Sequence, residues 1–198
     1  MLWFAVLSEE KTFAAADDSE LMIAVKKGNP KAFRVLVERY KRKAYFIALG
    51  LVGDSDDAYD LSQEAFIRVY NARKRFDSGR PFFSWFYTIL SNLSRNQIKK
   101  RSVRSDYSRQ VTDEYNPQLD NSAAPDVIME ADESKTAVWA AIEKLSYDHR
   151  EVIILRHFED MSYEEIAGLL DIPVGSVMSR LYYARKNLRE MLGDEYEQ

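Results

Sequence analysis

The chain has 198 residues, 46% of them hydrophobic and 30% charged, with 7 Gly, 5 Pro and no Cys. This suits one medium or two small helical domains and is poor in the turn residues of an all-β protein. The absence of cysteine excludes disulfide frameworks, thiolate zinc sites and cysteine nucleophiles, and makes a reducing cytoplasm the expected compartment.

A net charge of −4 argues against bulk attraction to nucleic acid, but the charge is blocked along the chain. Residues 92–110 carry Arg95, Lys99, Lys100, Arg101, Arg104 and Arg109 against Asp106 alone. Residues 111–134 carry Asp113, Glu114, Asp120, Asp126, Glu130, Asp132 and Glu133 with no basic residue.

The apolar run Met1–Leu7 falls short of the roughly 20 residues that span a bilayer, so residues 1–16 read as a tail without membrane insertion. Residues 17–104 read as a first helical domain. Asp18 or Ser19 can cap its opening helix, which stops at Gly28, and Asn29-Pro30 opens the next. In that second helix Phe33, Leu36, Val37, Tyr40, Ala44, Ile47, Ala48 and Leu51 fall at three- and four-residue steps, the period of one buried face, and Gly53 ends it. A third helix is expected from about Asp56 to Ala72. A fourth is expected from about Phe82 to Lys100, after the turn-prone Asp77-Ser78-Gly79-Arg80-Pro81.

Residues 105–134 hold two prolines and little apolar period, so they read as a flexible acidic linker. Residues 135–198 form a second helical domain. In it Ser162-Tyr163-Glu164-Glu165 is a capping box opening a short helix that Asp171-Ile172-Pro173 stops. A longer helix begins near Gly175, with Val177, Leu181, Ala184, Leu188 and Leu192 on one face. Ser176, Met178, Ser179, Arg180, Tyr183, Lys186 and Asn187 lie on or near the other. The pair has the form of a helix-turn-helix, whose second helix enters the major groove, although basic residues on a solvated helix are also ordinary.

These C-terminal residues carry a resemblance. Tyr163-Glu164-Glu165-Ile166-Ala167, then Ile172-Pro173-Val174-Gly175-Ser176-Val177, Ser179-Arg180-Leu181 and Ala184-Arg185, resemble region four of extracytoplasmic-function sigma factors. The resemblance implies that Ser176, Ser179 and Arg180 approach base edges of the minus-thirty-five element while Arg185 and Lys186 hold phosphates. Met178 departs from the lysine that relatives often carry there, which bears on sequence preference.

In the first domain, Asp57, Asp60, Gln63 and Glu64 share one face of the third helix, opposite Ala58, Leu61, Ala65 and Val69. Carboxylates at these steps also fit a solvated face, and a metal site lacks a histidine partner. Resemblance to region two implies that this face docks on the clamp helices of the largest subunit of RNA polymerase, with the flap as a further contact of the factor.

The following stretch alternates aromatic and basic residues from Arg73 to Arg101, the combination that stacks unpaired bases and tracks phosphates. By resemblance the loop at residues 76–81, with Arg80, captures a flipped minus-ten base. The helix after it reads that element through Asn92, Asn96 and Gln97, with Lys99, Lys100 and Arg101 on phosphates. Trp85 reads equally as a melting wedge or as core.

The resemblance implies an all-α sigma factor that binds RNA polymerase core and promoter DNA, as duplex and as non-template single strand, with an anti-sigma factor as a further partner. It also routes the acidic linker near the active-site and RNA-exit path, where its charge mimics nucleic acid. A stand-alone helix-turn-helix regulator would explain only the C-terminal half. An enzyme is disfavoured: His149 and His157 are the only histidines, and no nucleophile constellation, phosphate loop, metal spacing or cofactor motif accompanies them.

Overall fold

Residues 13, 15–111 and 133–193 are described by a computed structural model, in which these residues form eight α-helices. Helix α1 (Asp18–Lys26) is capped by Asp17 rather than by Asp18 or Ser19. Asp17 places Glu20 at the third helical position, so that Glu20 N–H donates to Asp17 Oδ1 at 2.8 Å and Asp17 N–H donates to Glu20 Oε2 at 3.1 Å. Two free amides are satisfied together, which neither neighbour achieves as the cap.

Helix α2 (Pro30–Val52) starts at Asn29, whose Oδ1 accepts from Lys31 and Ala32 N–H. It ends at Gly53 in the left-handed region, φ 74°. Its last turn holds no basic residue. The cations that satisfy its terminal carbonyls come from elsewhere: Arg101 donates to Val52 O at 3.4 Å and Arg150 to Leu51 O at 2.8 Å.

Helix α3 (Ser55–Ala72) is capped by Asp54 and runs into a 3₁₀ turn at Arg73–Arg75. Helix α4 (Phe82–Val111) continues past the end expected at about Lys100, because no Gly or Pro interrupts the chain before Pro117. Leu36, Ile47, Leu51, Ala65, Val69, Phe82, Phe86 and Leu90 are buried between these helices. The acidic stretch at residues 112–132, with the path expected for it, lies outside the described residues.

The second body comprises α5 (Glu133–Lys144), α6 (Tyr147–Ile153) and a π turn at Ile154–Phe158, then α7 (Tyr163–Leu170) and α8 (Val174–Leu192). The Ser162 box closes as expected: Glu165 N–H donates to Ser162 Oγ at 3.1 Å, and Ser162 N–H donates to Glu165 Oε2 at 2.7 Å. Asp171 takes the left-handed cap position, φ 54°, and Pro173 leads into α8. Val177, Leu181 and Ala184 are buried with Ile166, Val152 and Leu155, as their spacing required.

The two bodies share one hydrophobic core. The contact needs a helix surface without a side chain at Gly50, where a Cβ would lie 2.6 Å from Ile154 Cδ1 and 3.1 Å from Trp139 Cζ3. Phe46 stacks on Trp139 with ring centroids 6.5 Å apart, and Lys43 pairs with Glu159 at 2.5 Å. Burial raises the Glu159 carboxyl above the usual carboxylate range against the pull of Lys43.

Candidate nucleic-acid interface

The acidic face of α3 and the basic face of α4 are adjacent walls of one groove, lined by Asp57, Asp60, Glu64, Asn96, Lys99 and Lys100 among others. Ala58, Leu61, Ala65 and Val69 face the core, which turns the carboxylates outward. They are not equivalent. Asp57 Oδ2 accepts from Gln97 Nε2 at 2.8 Å and pairs with Arg101 at 2.7 Å, and Arg101 also reaches Asp54 at 3.0 Å. Glu64 pairs with Arg68 at 2.7 Å along its own helix. Asp60 and Gln63 stand exposed. Of the four residues expected to dock on polymerase, Asp57 and Glu64 therefore also hold partners within the chain.

On α4, Asn92, Asn96, Lys99 and Lys100 are exposed, whereas Gln97 and Arg101 are engaged by Asp57. Arg80 is exposed in the loop before the helix, pairing with Asp77 at 3.8 Å. Trp85 is half-buried against Phe76 and Phe82, at centroid distances of 5.2 and 6.3 Å. It is thus packed on the fold while keeping part of its surface open to solvent.

On α8, Ser179 is exposed and Ser176 half-buried, with Ser179 Oγ donating to Ser176 O at 3.0 Å. Arg180 turns back within its own domain to Asp148, Nη2 to Oδ2 3.0 Å. Arg185 donates to His157 Nε2 at 3.3 Å, and Lys186 is exposed beside Glu190. Burial first, then Arg185 and Arg156, lower the His157 imidazole below its ordinary value, keeping Nε2 free to accept. Met178, Tyr182 and Tyr183 stand 54%, 65% and 54% exposed on the same helix.

One polar centre lay outside the sequence reading. Glu151 of α6 is 3% exposed and reaches across to α4. Its Oε1 accepts from Tyr87 Oη at 3.1 Å and Ser91 Oγ at 2.7 Å, and its Oε2 faces Arg95 Nη2 at 3.5 Å. Tyr147 Oη lies 3.0 Å from Ser91 Oγ, and the Arg95 guanidinium covers the Tyr147 ring at 4.5 Å. Burial pushes the Tyr147 phenol up to about 12, and burial with the Glu151 charge pushes Tyr87 well above its ordinary value. A faint signal existed: Tyr87, Ser91 and Arg95 follow at four-residue steps along one helix.

Among the described residues no group of three His, Asp or Glu side chains is placed to hold a metal ion, and no helix is long and apolar enough to cross a membrane.

Comparison with known proteins identifies the family. Residues 36–104 match the family model for Sigma-70 region 2, and residues 135–188 that for Sigma-70, region 4. The RNA polymerase sigma-H factor of Pseudomonas aeruginosa is 34% identical over 180 residues, covering 88% of this chain and 93% of that protein. The ECF RNA polymerase sigma-E factor of Escherichia coli K12 is 36% identical over 174 residues, covering 85% and 91%. Among solved structures, the sigma factor RpoE in complex with the anti-sigma factor NepR from Bartonella quintana aligns with a TM-score of 0.65 at 26% identity, covering 83% of this chain and 99% of that one. CnrH in complex with the cytosolic domain of CnrY aligns at 0.64 and 27% identity, covering 88% and 96%. Region two and region four therefore stand in family order on an all-helical frame, and the chain belongs to the extracytoplasmic-function RNA polymerase sigma factors of the sigma-70 family.

Proposed function

We propose that this sigma factor docks on core RNA polymerase through the α3 face of Asp57, Asp60, Gln63 and Glu64 and directs promoter-specific initiation through α4 and α8. The observation that carries this reading is the groove in which the α3 carboxylates, Asp60 exposed and Asp57 and Glu64 half-buried, oppose exposed Asn96, Lys99 and Lys100 of α4. An acidic protein-docking wall and a cationic nucleic-acid wall on adjacent helices hold polymerase and promoter side by side.

On α4, Arg80, Trp85, Asn92, Asn96, Lys99, Lys100 and Arg101 contact and open the minus-ten element. Amides read base edges, cations neutralise phosphates, and the half-buried Trp85 offers an aromatic surface on which a base stacks at about 1 to 3 kcal/mol. On α8, Ser176, Ser179 and Arg180 read the minus-thirty-five duplex while Arg185 and Lys186 hold its backbone. Two modest contacts on one chain become one firm attachment through effective concentration. The flap of the polymerase and an anti-sigma factor are further partners, the protein acts in the bacterial cytoplasm, and it is not itself an enzyme.

The test is a pull-down on purified bacterial core polymerase. Asp60→Ala with Glu64→Ala is expected to lose core affinity while keeping its helical spectrum. Equal recovery of variant and wild type would refute the docking surface.

A further inference from the structure

Helix α8 presents an apolar surface beside the polar residues expected to read the upstream element. Ser179 and Lys186, seven residues apart, mark the line opposite the buried stripe of Val177, Leu181 and Ala184. Tyr182 and Tyr183 straddle that line between them, and Met178 stands beside it one turn before Tyr182. All three are more than half exposed. The two rings lean on each other, edge to face with centroids 5.3 Å apart, and not on the core. Single exposed apolar residues are ordinary on a protein surface, whereas three large ones side by side on one helix face mark a contact surface.

The polar side chains of this helix already have partners inside the chain. Ser179 Oγ donates to Ser176 O at 3.0 Å, Asp148 holds Arg180 at 3.0 Å, and Arg185 donates to His157 Nε2 at 3.3 Å. Each has to release that partner before it serves a base or a phosphate, while Met178, Tyr182 and Tyr183 release only water. Arg185 and Lys186, both exposed, flank the apolar patch and draw a polyanion to it. In the major groove of a duplex the one apolar group on a base edge is the C5 methyl of thymine. Met178 and Tyr182, four residues apart at ~1.5 Å per residue, span roughly 6 Å of helix, the height of about two base pairs at ~3.4 Å each. One stripe therefore covers methyl groups on neighbouring pairs.

We infer that Met178, Tyr182 and Tyr183 are specificity-determining residues of this chain, and that its upstream element is selected through thymine methyl groups as well as through hydrogen bonds. The inference rests on the reading of α8 as the helix that enters the upstream duplex, and it names the chemistry that this helix selects. A methyl buried against the patch contributes about fourfold in affinity. Lysine or arginine at these places would instead select guanine through its O6 and N7 acceptors.

Deoxyuridine lacks the thymine methyl and keeps the O4 acceptor beside it, so it isolates the contact. The probe is a promoter recovered by run-off transcription and bound by the full chain assembled with core RNA polymerase, with dissociation constants read by gel shift at low temperature. Scrambling the upstream duplex block by block locates the element. Each thymine of the element, on either strand, is then replaced singly by deoxyuridine. The series is measured for wild type, Met178→Ala, Tyr182→Ala and Tyr183→Ala, exposed positions at which the helical spectrum is expected to stay that of wild type.

Wild type is expected to bind about fourfold more weakly when at least one thymine loses its methyl, and that penalty is expected to vanish in at least one of the three variants. No penalty at any thymine, or a penalty of equal size in all four proteins, overturns the methyl readout. An element without thymine on either strand does the same. In each of those cases scrambling the element still weakens binding, so the reading of α8 stands. If no scrambled block of the upstream duplex changes wild-type binding, that reading fails and the inference fails with it.

Discussion

Replacing Glu151 with Ala tests the polar centre between the two bodies quantitatively. The change strips an acceptor from three groups with unequal alternatives. Tyr87 is 1% exposed and loses its carboxylate acceptor, with only the Ser91 hydroxyl beside it, so its poorly satisfied donor costs about 1 to 3 kcal/mol. Ser91 retains Tyr147 Oη at 3.0 Å, and the Arg95 side chain, 47% exposed, turns to water, so each adds little. The sum is about 2 kcal/mol, near thirtyfold in the equilibrium between packed and separated bodies.

The cost is asymmetric, which supplies the check. Tyr87→Phe in wild type removes one hydrogen bond and should cost about 1 kcal/mol, whereas the same change in Glu151→Ala removes the poorly satisfied donor and should cost nothing or restore stability. Urea unfolding of the four proteins measures the coupling, expected at 1 kcal/mol or more. Strictly additive losses would show that Tyr87 and Glu151 do not share a hydrogen bond and would refute the reasoning.

Other outcomes follow from neighbouring residues. Asp57→Ala should lower urea stability by about 1 kcal/mol, since it removes partners of Gln97 and Arg101 at a partly exposed site, whereas Asp60→Ala should stay within about 0.5 kcal/mol of wild type and lose core affinity instead. Arg180→Ala, whose ion pair is half-exposed, should leave stability and polymerase binding near wild type while weakening use of a minus-thirty-five-dependent promoter by about tenfold or more in run-off assays. His157, with its imidazole depressed, binds fewer protons folded than unfolded, so stability is full above its ordinary value near 6.5 and falls as pH drops below it. Urea midpoints at pH 7.5 and 5.5 should show that loss in wild type and a smaller one in His157→Gln.

The helices were legible in the sequence wherever one face is buried. The four-residue steps of α2, the Ser162 box and the Val177–Leu181–Ala184 stripe all appear as read, because periodicity and capping are local. Cap choice among Asp17, Asp18 and Ser19 was not, since all three suit the position and only the reach of Glu20 decides. The end of α4 lies beyond Lys100 because polar composition alone does not stop a helix, and no Gly or Pro follows before Pro117.

Candidate site residues were found by motif, but their internal partners were not. Asp57 with Gln97, Arg180 with Asp148 and Glu151 with Ser91 join residues 32 to 60 positions apart, and nothing local marks such pairs. A lone glutamate between Arg150 and Val152 reads as solvated until the second body covers it. Gly50, likewise, reads as a weak spot in α2 until Ile154 and Trp139 occupy the space.

The most direct measurement is run-off transcription with purified bacterial core polymerase and a genomic promoter library, with and without the pure protein. Discrete transcripts from a defined set of start sites, appearing only when the chain is added and fading with Arg180→Ala or the Asp60→Ala, Glu64→Ala pair, are the predicted result. Identical transcript patterns in its presence and absence would contradict the account.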